Sequence, residues 1–118
     1  MRTIEKNIIN TLSSDRAGIH NLSMRDSVAI NDDSKRVYLW NHNIYELNSD
    51  GAIFSLCGWN STTTKSRLNA LLWAHFGAGI IQKNYQLYFK HINKLVPISS
   101  DKKYFIAFDD FDGNIKEV

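Results

Sequence analysis

Cysteine is almost missing from this chain, and its single instance, Cys57, excludes an intramolecular disulfide framework. A run of about 18 apolar residues, the minimum for a membrane-spanning helix, is also missing; the longest stretches are broken by His75 or by Gly77 and Gly79. The opening residues Met-Arg-Thr-Ile-Glu-Lys lack the apolar segment of a secretory signal, so the expected setting is a reducing cytoplasm with no membrane partner. Charge of one sign is not in excess: a net charge of +2 excludes mimicry of DNA by an acidic surface and leaves other binding questions open. With one proline, no stretch reads as a linker, a repeat or a low-complexity segment.

Catalytic signatures are missing as well. His20, His42, His75 and His91 form no H-x-x-H or H-E-x-x-H spacing, and one cysteine cannot build a zinc knuckle. There is no P-loop, dinucleotide fingerprint or nucleophile elbow, and no cofactor is expected. Asp109, Asp110 and Asp112 around Gly113 resemble part of a calcium loop, but a glutamate eleven residues after Asp110 would fall beyond Val118. A turn is the better reading of Asp109 to Asn114, and a metal-dependent nuclease built on those aspartates ranks third among the functions considered.

What is present is an ordinary globular composition, 43% hydrophobic and 12% aromatic over 118 residues, which predicts one α+β domain spanning residues 1–118. Ile4, Ile8, Ile9 and Leu12 fall at helical spacing, predicting a short helix over Thr3 to Leu12 with Thr3 as its cap. Arg16 to Arg25 shows neither period and reads as loop. Strands are then expected at 27–31, 36–40, 43–47 and 52–57, an antiparallel meander in which the Asp50-Gly51 pair supplies a positive φ. A helix follows from near Thr63 to Phe76, with Leu68, Leu71, Leu72, His75 and Phe76 on one face, Lys65, Asn69 and Trp73 on another, and Gly77 as C-terminal cap. A hairpin with strands at 79–82 and 85–89, turning at Lys83-Asn84, and a last strand from Tyr104 to Phe108 complete a sheet against which the helix packs. His75 is expected to be a core or boundary residue, and Cys57 a small buried strand residue.

The segment Gly58-Trp59-Asn60-Ser61-Thr62-Thr63-Thr64-Lys65-Ser66-Arg67-Leu68-Asn69 resembles a Gly-Trp, threonine-rich, Lys-x-Arg-Leu-Asn helix start of small bacteriophage proteins. The likeness continues through Ile81-Gln82-Lys83-Asn84-Tyr85-Gln86-Leu87-Tyr88 and covers roughly residues 36–89. It implies a phage origin, hence the cytoplasm of a host cell, and carries no activity or catalytic residue with it.

Two binding surfaces are legible. Thr63, Thr64, Lys65 and Arg67 stand at a helix N-terminus, where free amides and cations suit a phosphate. Simple capping, with Trp59 stapled against Leu68 or Leu71, explains the same threonines without a ligand. Lys35, Arg36, Lys83, Lys90, His91 and Lys94, interleaved with Tyr38, Trp40, Tyr85 and Tyr88, would suit nucleic acid, although Asp32, Asp33, Glu46 and Asp50 would dilute such a patch. Binding is favoured over catalysis. The leading expectation is a phage or mobile-element accessory protein that binds nucleic acid as a regulator through Thr63, Thr64, Lys65, Arg67, Lys83 and Lys90. The alternative is an inhibitor that engages a host enzyme or defence complex through Tyr38, Trp40 and Trp73.

Overall fold

The structure, a computed structural model, describes residues 1–109 and 111–118. Helix α1 (Thr3–Leu12) is capped at Arg2, not at Thr3: the Glu5 carboxylate turns back to accept the Arg2 backbone N–H at 3.2 Å. Its far end is closed by Lys35, whose Nζ donates to the carbonyls of Leu12 and Ser14 at 2.7 and 2.9 Å.

The expected loop before the meander contains a strand. β1 (Gly18–Asn21) pairs antiparallel with β2 (Asp26–Ile30), followed by β3 (Lys35–Leu39), β4 (His42–Leu47) and β5 (Gly51–Phe54). β9 (Tyr104–Ala107) and β10 (Lys116–Glu117) extend this into a seven-stranded antiparallel sheet in the order β1-β2-β3-β4-β5-β9-β10. The β3–β4 turn places Trp40 and Asn41 at φ 50° and 65°, the paired positive values of a tight hairpin. Gly51 is required for a different reason than its φ: a Cβ there would lie 1.9 Å from the Ile106 carbonyl oxygen, so β5 and β9 approach only because the side chain is missing. Cys57 lies beyond β5, in a turn at φ 54° and half buried, where its thiol donates to the Asn43 carbonyl.

Helix α2 (Thr62–Phe76) starts at Ser61, whose Oγ accepts the Thr64 N–H at 3.1 Å, and ends on Gly77 at φ 64°. Leu68, Leu71 and Leu72 are buried, His75 and Phe76 half buried, and Trp73 faces solvent. Beyond it, β6 (Ala78–Lys83), β7 (Gln86–His91) and β8 (Lys94–Ile98) form a separate three-stranded antiparallel sheet rather than extending the first. Asn84 and Tyr85 carry the β6–β7 turn at φ 50° and 68°, so Tyr85 stands at the hairpin tip, 97% exposed, and not on the inward face. Pro97 conceals β8 from a strand reading, yet β8 is an edge strand, where a missing amide is tolerated. The sheets meet through aromatic packing: Phe54 of β5, itself 5.5 Å from Tyr104 of the neighbouring strand β9, lies 5.8 Å from Phe89 of β7, between ring centroids. Helix α2 also closes the free edge of β6, since the Asn69 Oδ1 accepts the Ile80 amide at 2.6 Å. The part of the turn expected at Asp110 lies outside the described residues.

Candidate nucleic-acid interface

Arg67 does not belong to a surface. It is 1% exposed and turned inward from α2, with Nε donating to Asp26 Oδ1 at 2.7 Å and Nη1 to Glu5 Oε2 at 3.0 Å. The inward alternation of β2 carries Asp26 into the core beside Val28 and Ile30, and the helical repeat of α1 does the same for Glu5 beside Ile8. One guanidinium thereby answers two buried carboxylates and ties α1, α2 and β2 together. Burial works to raise the Glu5 pKa, but donation from Ser66 at 2.5 Å, from the Arg2 amide and from Arg67 outweighs it and holds the carboxyl below its usual range. Arg67 is held charged despite its own burial by the same pairing.

Thr64 is likewise buried, 2.9 Å from the Ser61 hydroxyl, and Thr63 is half buried. The expected phosphate cluster at the helix start is thus reduced to one cation, Lys65: Ser61 rather than a threonine caps the helix, Thr64 is engaged with Ser61, and Arg67 is held in the core. The Trp59 ring stands 5.3 Å from that of His42 and is half exposed.

The remaining cations fall into two groups. Lys35 closes α1, Arg36 pairs with Glu46 at 2.6 Å and Lys102 with Glu117 at 3.0 Å. Lys65, Lys83 and Lys90 have no carboxylate partner among the described residues; Lys65 donates only to the neutral Gln82 Oε1, at 2.9 Å. Strand register sets Lys83 and Lys90 on one face. Ile81 lies opposite Tyr88, Gly79 opposite Lys90 and Lys83 opposite Gln86, with Pro97 and Leu95 flanking Tyr88 and Lys90. Alternation turns Ile80, Leu87, Phe89 and Ile98 into the core and leaves this row outward, with half-exposed Tyr88 between the two lysines. The acidic residues expected to dilute the patch, Asp32, Asp33, Glu46 and Asp50, are all on the seven-stranded sheet or its turns.

A sequence signal for this surface exists in the distribution of charge. Residues 51–100 contain no aspartate or glutamate and five cations: Lys65, Arg67, Lys83, Lys90 and Lys94. The rest of the chain holds the other nine of the fourteen basic residues against all twelve acidic ones. The total of +2 averages away a cationic half built from α2 and the three-stranded sheet. Tyr38, Trp40 and Trp73 have separate surroundings: Tyr38 lies on the outer face of the large sheet, Trp40 lines a hollow with His42 and Trp59, and Trp73 projects from α2 beside β6. Among the described residues no group of three His, Cys, Asp or Glu side chains is placed to hold a metal ion. No helix there is long and apolar enough to cross a membrane.

The family model described as Kyanoviridae Gp96 protein matches residues 1–115. The chain belongs to that family. This phage family membership extends well beyond the segment 36–89 on which the phage resemblance rests, and takes in both helices and all of the three-stranded sheet of this Gp96 family member. Comparison with curated proteins and with solved structures finds no match to the chain.

Proposed function

We propose that this phage protein is a non-catalytic accessory factor that binds nucleic acid on the outer face of the three-stranded sheet and acts as a regulator. The observation that carries the reading is the pair Lys83 and Lys90 on one sheet face with Tyr88 between them, with Lys65 on the neighbouring helix, all three without a carboxylate partner among the described residues and in the acid-free half of the chain. Phosphate contacts from lysine and stacking on an aromatic face are the two ingredients of sequence-tolerant binding. Fluorescence anisotropy with labelled DNA and RNA at low salt tests it. Binding is expected, weakened by added salt and by the combined Lys83→Ala and Lys90→Ala change, and unaltered by Lys102→Ala, whose lysine pairs with Glu117. Absence of binding to any nucleic acid at low salt overturns the reading.

A second reading, inhibition of a host enzyme or defence complex, draws support from Trp40 and Trp59, each 51% exposed and lining one hollow with His42. Exposed tryptophans near one another are the anchors that protein interfaces use. Pull-down from nuclease-treated host lysate, repeated with Trp40→Ala, tests it: one stoichiometric partner that the variant no longer captures is the expected result, and recovery of none counts against it.

A further inference from the structure

Two open grooves meet at helix α2. The first, of about 700 Å³, lies between the start of α1, helix α2 and β6, and Arg2, Thr62, Lys65 and Gln82 line it. The second, of about 600 Å³, lies between the end of α2 and the three-stranded sheet, lined by Ile81, Lys90 and Ile92. Asn69 and Trp73 belong to both, and Trp73 is 67% exposed. A lone exposed tryptophan is ordinary on a protein surface. This one is a partition between two hollows, each furnished with a lysine that no described carboxylate neutralises. Among the described residues the one acidic side chain lining either groove is Glu5, already buried and engaged by Arg67 and Ser66.

We infer that the ligand of this protein is single-stranded nucleic acid, which runs along α2 with a base stacked on Trp73 and its backbone held by Lys65 before it and Lys90 beyond it. This rests on the nucleic-acid reading above and specifies its substrate class. A tryptophan face can stack on a base only if that base is unpaired at the face, because within a duplex each face is covered by the neighbouring pair. Trp73 lies eight residues after Lys65 on the same helix, about 12 Å along its axis, so the path follows the helix and then turns onto the sheet at Lys90. Arg2 and Lys65 in one groove, Lys90 in the other and a flat aromatic partition between them complement an extended polyanion with exposed bases. Asn69 is not available for base reading through its Oδ1, which is engaged by the Ile80 amide; the expected recognition is therefore tolerant of sequence.

The test is competition between a single-stranded oligonucleotide and a hairpin duplex of the same length, read by anisotropy on the full chain and on Trp73→Ala and Trp73→Phe. The single strand is expected to bind at least tenfold more tightly than the duplex. Trp73→Ala is expected to weaken it about tenfold, with Trp73→Phe retaining most of the affinity. Trp73 is exposed, so circular dichroism of both variants is expected to match the parent and to separate binding from folding. Equal or tighter duplex binding, or an unchanged Trp73→Ala, overturns the single-strand inference while leaving nucleic-acid binding in place. No binding by either oligonucleotide overturns both.

Discussion

Arg67 and its two carboxylates show how one residue holds separate elements in register. Removing the guanidinium leaves Glu5 buried without a cation and Asp26 with only the Arg25 Nε at 3.9 Å, a change that costs about 3–5 kcal/mol in comparable sites. Arg67→Ala is accordingly expected to lower the urea midpoint by that equivalent, whereas Lys65→Ala two positions earlier should leave it within about 0.5 kcal/mol. His75 offers a second residue-level test. Its Nδ1 lies 2.8 Å from the buried Tyr45 hydroxyl, and burial holds its pKa below the ordinary 6.5. At pH above 6.5 the ring is neutral folded and unfolded; as pH falls below 6.5 the unfolded chain takes up the proton first, so stability declines. His75→Gln should flatten that decline between about pH 7 and the lowered pKa, measured by denaturation across pH. Glu5 acts further down: its folded pKa lies below 4.5, so its contribution is present above pH 4.5 and disappears as pH falls through the lowered value.

At the level of elements, the helices and hairpins rest on short-range chemistry and are accordingly legible in the sequence. Ser61 caps α2 and Gly77 ends it in the left-handed region, so Ser61→Ala and Gly77→Ala are each expected to cost about 1 kcal/mol. Gly51→Ala should cost more than either, because the added methyl meets the Ile106 carbonyl of a paired strand, and the comparison of three thermal midpoints checks the order. What is not legible has identifiable causes. β1 has Gly18, Ile19 and Asn21 exposed, so no alternation marks it. β8 carries a proline that is harmless only at an edge, and the division into two sheets depends on Phe54 meeting Phe89, which lie in distant segments. In α2 the helical spacing already turns Trp73 away from the apolar face, as found, whereas the buried Arg67 stands on the side where an apolar residue is usual.

For the whole molecule, the division of charge matters more than its sum. Lys83 and Lys90 are legible from sequence as part of a basic surface, and their shared face follows from strand register; the burial of Arg67 is not, because its partners stand 62 and 41 residues away. Replacing either Lys83 or Lys90 by alanine should reduce the slope of log affinity against log salt by nearly 1, a measurement independent of absolute affinity. The Glu5–Arg67–Asp26 cluster also has a meaning in time. A chain emerging amino end first displays both acids well before the base that joins them, and the sheet carrying Lys83 and Lys90 emerges later still. The first helix can rest on β2 and Lys35 before α2 arrives, but its buried Glu5 lacks its cation until then, so the closing of that lock is a late step.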